Sequence, residues 1–393
     1  MPNYLSTIGG NNSQIGIVMS AFAVGVLVFR PIVGKKIDSV GRKTILIIGT
    51  VIFIISPILY LFIHSIPSLL PVRIFHGLGL AAFGTASITL ITDAAPVANR
   101  GTVISYTGMV NTIAFALGPI LGSLVGDTWG YNVLFGFVSV LSFLALFCSL
   151  FLKDAFSHKK SNSQINYLQA IKQRKIIIAS IMILFIGLIH GGVMFYIPIF
   201  LKENVAMNIG LFFAVYGTAT FIIRFIIGPV ADKWGQGPFL VLSLLLLAAG
   251  VFTLSQSNTV LLVFVAATLY GFGFGAHQPT LTALVADNTN DETRGKIFSF
   301  YYGGFDLGIS LAGVILGSVA EWYGIQHMFV VCSAIAVISL IIFATSIETS
   351  FLTSFKYAIT LKKIGKENII CDQFMEVSPE QAEAYFKDTN DAS

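Results

Sequence analysis

Asp306 is the residue whose type and position most clearly indicate chemistry. It lies about twelve residues into the apolar stretch 295–319, near its middle. A carboxylate surrounded by hydrocarbon is costly to keep ionised, so it takes up a proton readily or contacts a cation. A charge in such a place is functional by default, and Asp306 is therefore the first candidate for a proton or cation site.

The residues around Asp306 indicate that it faces protein rather than lipid. Small and polar residues recur at alternating spacings of four and three, which places them on one face of a helix. They are Ser299, Gly303, Ser310, Gly313 and Gly317. Such faces pack against other helices in membranes. A purely structural role stays open, in which Tyr301, Tyr302 or another hydroxyl satisfies the aspartate. Tyr302 is accordingly included in the candidate site.

Two further ionisable residues are candidates for the same site. His277 differs in depth from Asp306 by about 6 Å, so adjacent helices can bring them together, and histidine titrates in the useful range. Arg73 lies about one turn from the edge of its apolar stretch, so function competes with snorkelling to the interface. Arg30 and Arg224 also lie one turn from an edge, and for them snorkelling is the better interpretation.

The composition predicts an all-α membrane protein. Of 393 residues, 55% are hydrophobic and 11% are charged, whereas soluble domains carry about 25% charged residues. A soluble enzyme is thereby excluded, and the net charge of +4 gives no field for nucleic acid. Three scattered cysteines signal neither a disulfide framework nor a metal site, and no cofactor is expected.

Eleven apolar stretches are long enough to cross a membrane as helices. They are 14–33, 44–65, 69–92, 101–126, 131–152, 173–198, 208–230, 238–257, 260–285, 295–319 and 325–347. When the loops are assigned alternately to the two sides, one side and the tail hold 19 Lys and Arg residues and the other holds one, Lys202. Positive loops stay inside, so the basic side and the C-terminus are predicted to be cytoplasmic, in a cell (inner or plasma) membrane.

The sequence repeats itself at an offset of 194 residues. The offset relates Arg30, Gly34 and Asp38 to Arg224, Gly228 and Asp232. Two halves in the same order indicate a parallel repeat about an axis along the membrane normal. The partner of 173–198 would begin before Met1, so we expect a six-plus-six architecture whose first helix is missing from a truncated or mis-started sequence.

The expected organisation has four parts. Residues 1–152 form an N-terminal bundle with five full spans, and 153–172 form a polar cytoplasmic linker. Residues 173–347 form a six-helix bundle, and 348–393 form a cytoplasmic tail.

The loop after the first stretch carries a specific motif. Residues 34–43, GKKIDSVGRK, resemble the GxxxD(R/K)xG(R/K)(R/K) signature of the major facilitator superfamily, with Ser39 in place of a basic residue. Residues 114–123, AFALGPILGS, partly resemble the GxxxGPxxGG motif of that family's exporters through Gly118, Pro119 and Gly122. Arg73 and Gly77 resemble the family's RxxxG motif, which is implicated in proton transfer.

The resemblance implies two six-helix bundles that rock about a central site. It also implies a cytoplasmic latch in the outward-open state, built on the turn glycines Gly34 and Gly41. Two contacts of that latch are expected. Asp38 would meet the positive N-terminal end of the helix that starts near Arg294. Arg42 would pair with Asp93.

The residues and the resemblance together predict a membrane transporter driven by a gradient, since nucleotide-binding and nucleophile motifs are lacking and no enzyme is indicated. The leading interpretation is proton-coupled export of a small organic molecule by a monomer that contacts membrane lipids. One alternative is proton-coupled uptake of a sugar or an organic acid. Another is a non-transporting membrane receptor or scaffold.

Overall fold

The structure is a computed structural model that describes residues 1–94, 100–152, 174–234, 236–287, 289 and 291–346. The predicted linker 153–172 and tail 348–393 lie outside these residues. Within them the chain is built from helices, without a strand.

The helices follow one another with short connections. In the first half they are α1 (Pro2–Thr7), α2 (Asn12–Val40), α3 (Arg42–Phe62), α4 (Ile66–Ala94), α5 (Arg100–Trp129) and α6 (Tyr131–Leu150). In the second half they are α7 (Arg174–Phe200, with a π-turn over Leu201–Val205), α8 (Ile209–Trp234), α9 (Gly237–Ser255), α10 (Val260–Asp287), α11 (Asp291–Tyr323) and α12 (Ile325–Ser346).

The prediction of an all-α membrane protein is confirmed. Among the described residues, ten helices are long and apolar enough to cross a membrane. The helix α5, with 30 residues, is about 45 Å long and also has the length to cross. Each of the eleven predicted stretches therefore coincides with a long helix. The short helix α1 contacts α7 and α2 and buries Leu5 completely.

The contacts between helices repeat in the two halves. The pairs α2–α4, α3–α4 and α3–α6 correspond to α8–α10, α9–α10 and α9–α12. The backbone repeats as well, because Gly130 and Gly324, which are 194 residues apart, both end a long helix with a positive φ, of 86° and 88°. Only glycine adopts such values without strain, so these two turns require it.

Among the described helices, two pairs make most of the contact between the halves: α2 with α11, and α5 with α8. The offset of 194 residues relates α2 to α8 and α5 to α11, so the two pairs are equivalent in the repeat. The face opposite the basic loops is called the outer face below, and the other is called the basic face. Near the outer face, α2 crosses α11 with Gly16 against Gly313, and a Cβ atom on either residue would overlap the other's carbonyl group. The Ser20 hydroxyl accepts the Gly313 N–H at 2.9 Å.

The crossing predicts a specific cost for a small substitution. Gly313→Ala should destabilise the protein by about 1–3 kcal/mol, because the added methyl group must push α2 and α11 apart. Gly303→Ala, on the same helix, is the matched control, since a Cβ atom there meets no described atom within 4 Å. The measurement is the thermal unfolding midpoint of each purified variant in detergent. Equal midpoints for the two variants would contradict the proposed crossing.

Candidate functional site

The deepest predicted residue, Asp306, is half of an ion pair between the two halves of the chain. Its Oδ2 atom lies 2.5 Å from Nη1 of Arg30, which α2 carries. The Asp306 side chain is 13% exposed and that of Arg30 is 39% exposed. Each charge offsets the cost of burying the other in a medium of low dielectric constant. The expectation that Arg30 snorkels to the membrane edge is therefore wrong, because its guanidinium group is directed at α11.

His277 does not join this pair. Its ring is fully buried, and Nδ1 lies 3.0 Å from the Ser243 hydroxyl of α9. That hydroxyl donates its proton to the Leu240 carbonyl at 2.8 Å, so it accepts a hydrogen bond from the histidine. The predicted contact between His277 and Asp306 is wrong, since the ring faces α9 instead of α11.

Tyr302 lies four residues before Asp306 on α11 and has its own partners. Its hydroxyl lies 3.4 Å from that of Thr282 on α10, as does the hydroxyl of Tyr301. The ring of Tyr302 stacks on Phe298, with 6.0 Å between the centroids. The alternative in which these tyrosines satisfy Asp306 is not what the structure shows, because the carboxylate contacts Arg30.

Arg73 is buried inside the first half. Its side chain is 7% exposed, so it does not reach the interface as a snorkelling residue would. The Nε atom donates to the Val18 carbonyl at 3.3 Å, and the guanidinium carbon lies 4.7 Å above the ring centroid of Phe22. A cation over an aromatic face is favourable in a desolvated site. Arg73 therefore ties α4 to the outer half of α2.

The predicted cytoplasmic latch lies at the basic face. Gly41 joins α2 to α3 with a φ of 98°, which fits the turn expected there, and Arg42 begins α3 with a half-buried side chain. Gly34 lies in the last turns of α2, where a Cβ atom would meet no described atom within 4 Å. The side chains of Asp38, Asp93 and Arg294 lie outside the described part of the structure, so the latch stays a prediction.

The partial exporter motif lies in the outer half of α5. Pro119 is inside the helix, and next to it α5 approaches α8, with Ser123 Oγ 3.4 Å from Asn208 Oδ1. A Cβ atom on Gly118 or Gly122 would meet no described atom within 4 Å. Among the described residues, no neighbouring helix therefore packs closely against these two glycines.

A contact that the sequence did not reveal closes the outer face. Glu321, near the end of α11, accepts the backbone N–H groups of Asn12 at 2.8 Å and Ser13 at 3.4 Å. The Tyr196 hydroxyl of α7 donates to the Asn12 carbonyl at 2.8 Å. These N–H groups have no partner inside their own helix, and the helix start attracts negative charge. We call Asn12, Ser13, Tyr196 and Glu321 the outer latch.

The comparisons with known proteins agree with this geometry. The sequence matches the profile of the Major Facilitator Superfamily over residues 1–208 and 206–354. The chain belongs to the Major Facilitator Superfamily. It is therefore a multi-pass membrane protein of a family of small-molecule transporters.

Similar proteins in this superfamily cover nearly the whole chain. The staphylopine export protein of Staphylococcus aureus is 26% identical over 350 residues, which are 85% of this chain and 87% of that protein. The multidrug resistance protein MdtG of Escherichia coli is 24% identical over 352 residues, which are 85% and 86% of the two chains. The crystal structure of the nucleoside transporter NupG has a similar fold, with a TM-score of 0.76, 14% identity and coverage of 88% and 94%.

The outer latch of this superfamily member can be tested by hydrogen exchange. Glu321→Ala removes the acceptor of two N–H groups, and a hydrogen bond to a charged group is worth about 1.5–3 kcal/mol, so exchange at Asn12 and Ser13 should rise roughly tenfold or more. Asp127→Ala is the matched control, because Asp127 is the repeat partner of Glu321 and lies exposed at the same face. Unchanged exchange in Glu321→Ala would refute the latch.

Proposed function

We propose that this transporter exports a small organic molecule in exchange for protons, by alternating access. The observation that carries the proposal is the Arg30–Asp306 ion pair, which joins the two halves of the chain within their membrane-spanning helices. Asp306 is the proton site, and Arg30 is the group that transmits its state from one half to the other.

Protonation of Asp306 changes the contact between the halves. The ion pair needs both charges, so protonation of Asp306 removes the attraction that holds the Arg30 guanidinium group against α11. Arg30, whose side chain is 39% exposed, can then turn to water or to another partner, which frees α2 to move relative to α11. Loss of the proton restores the pair. Proton occupancy and the relative position of the two helices are therefore coupled.

The closed outer face indicates which state of the cycle is present. Both of these helix pairs touch near this face: Gly16 meets Gly313, and Ser123 of α5 contacts Asn208, the residue just before α8. With the basic face cytoplasmic, a chain closed on the outside exchanges its substrate with the cytoplasm, which is a step of export and of uptake alike. A staphylopine exporter and a multidrug resistance protein among the relatives support export over uptake.

The other predicted residues act around this pair. Arg73 fixes the outer half of α2 through the Val18 carbonyl, so it sets the position from which Arg30 reaches Asp306. We propose the cytoplasmic latch as the counterpart of the outer latch in the opposite state. The helices α2 and α11 run antiparallel, so at the basic face Asp38 is near the end of one while Arg294 is near the start of the other.

Asp306→Asn tests the coupling. The amide cannot exchange a proton, so efflux driven by a pH gradient should fall to the level of empty liposomes, while movement down the substrate's own gradient should persist. The measurement is transport by reconstituted protein of the planar dyes rhodamine 123 and fluorescein, with and without an imposed pH gradient. Asp127→Asn is the control, since this exposed carboxylate lies outside the site.

Three outcomes would count against the proposal. Coupling that survives in Asp306→Asn would remove Asp306 as the proton site. A gradient that drives accumulation on the cytoplasmic side would indicate uptake. Wild-type protein that moves neither dye under any gradient would favour a receptor or scaffold.

A further inference from the structure

Arg224, on α8, occupies the position in the second half that Arg30 occupies in the first. Unlike Arg30, it makes its described contact within its own half. Its Nη2 atom donates to Oε1 of Gln278 on α10, at 3.1 Å. This contact directs the guanidinium group at α10, and the expectation that Arg224 snorkels to the membrane edge stays a prediction.

Gln278 contacts this arginine directly, and polar groups of three further helices lie within range of its electric field. Besides Gln278 of α10, the groups close enough to interact with its charge are Tyr216 of α8, Tyr302 of α11 and His190 of α7. The side chains of Gln278, Tyr302 and His190 are each partly exposed. A few polar groups that converge from separate elements, with apolar surroundings, are typical of small-molecule sites.

Flat rings stand beside the polar groups. The His190 ring stacks on Phe274 with 4.3 Å between centroids and 13° between planes, and Phe305 lies 6.0 Å from it. The Tyr270 hydroxyl, 2.8 Å from Nδ1 of His190, holds the orientation of the ring. His190 and Phe305 are partly exposed, so they offer ring surface to a planar ligand.

The charges inside the membrane are unequal. In the described spanning helices, away from their ends, the charged residues are Arg30, Arg73, Arg224 and Asp306. Asp306 balances Arg30, while Arg73 is stabilised by a carbonyl and the face of Phe22. Among the described residues of these helices the arginines thus outnumber the carboxylates, an imbalance that favours a negatively charged ligand over a cation.

We propose that Arg224, Gln278 and Tyr302 bind the negatively charged group of the transported molecule while His190 and Phe305 stack on its ring. The substrate class is planar organic anions, such as aromatic carboxylates or sulfonates. This assignment rests on the proposed transport function. Arginine suits the role because its fork of N–H donors matches a carboxylate or sulfonate, and such bonds are stronger than neutral ones.

Two dyes with the same tricyclic xanthene ring test the charge preference. Fluorescein is an anion at neutral pH and rhodamine 123 is a cation. Binding of each is measured by fluorescence anisotropy with the full chain in nanodiscs of zwitterionic phosphatidylcholine, so that no anionic lipid competes. Wild-type protein should bind fluorescein at least tenfold more tightly than rhodamine 123.

The variants separate this site from overall charge. Arg224→Gln should weaken fluorescein binding roughly tenfold or more and leave rhodamine 123 unchanged or tighter, because a charge-assisted contact is lost. Arg224→Lys should keep much of the preference. Lys202→Gln, which removes one positive charge from an exposed position near the outer face, is the matched control and should bind as wild type does.

The inference is overturned if wild-type protein binds neither dye, binds both equally or prefers the cation. It is also overturned if Arg224→Gln keeps the preference while Lys202→Gln behaves normally. Because binding is measured without a proton gradient, its failure is distinguishable from failure of the proposed coupling.

Discussion

The structure depends on the close crossing of α2 and α11, where backbone meets backbone at Gly16 and Gly313. Side chains of ordinary size would hold the helices apart, since small residues are what allow such approaches in membranes. The crossing brings the start of α2 within reach of Glu321 on the outer side, and it brings Arg30 within reach of Asp306 farther along both helices. These two contacts are thus consequences of the absence of side chains at Gly16 and Gly313.

A second theme is the way in which the chain keeps three arginines inside a low-dielectric medium. Each is stabilised differently: Arg30 by a carboxylate of the other half, Arg73 by a carbonyl and an aromatic face, and Arg224 by the amide of Gln278. Among the contacts given above, the first arrangement crosses between the halves. In the proposed cycle a change of protonation at Asp306 would therefore affect the relation between the halves, whereas these contacts of the other two arginines lie within one half each.

Much of the fold was predictable because it follows from patterns that can be read along the sequence without knowledge of which helices pack together. Apolar length located the helices, and the offset of 194 residues showed the repeat, which reappears in the matching turns at Gly130 and Gly324. The stripe of small residues identified Asp306 as inward-facing. The family motif was also readable, although the side chains of Asp38, Asp93 and Arg294 lie outside the described residues.

The partners of these residues were harder to predict. A depth estimate treats each helix alone, so it assigned Arg30 to the membrane edge and paired His277 with Asp306 on similar depth. Which faces meet depends on the rotation of each helix, and that is set by packing against several neighbours. Glu321 gave no local signal at all, since a carboxylate at a helix end is ordinary until the start of α2 is seen beside it.

The position of the glycine crossing along α2 has a mechanical consequence. Arg30 lies about 21 Å from Gly16 along the helix and Asn12 only about 6 Å, at 1.5 Å per residue. A tilt of about 10° about the crossing moves Arg30 by about 4 Å but Asn12 by about 1 Å on this geometry. The larger displacement is enough to separate Arg30 from Asp306, whereas the smaller one leaves the hydrogen bonds between Asn12 and Glu321 in place. The outer latch can therefore serve as a hinge when the proposed change between the two states begins.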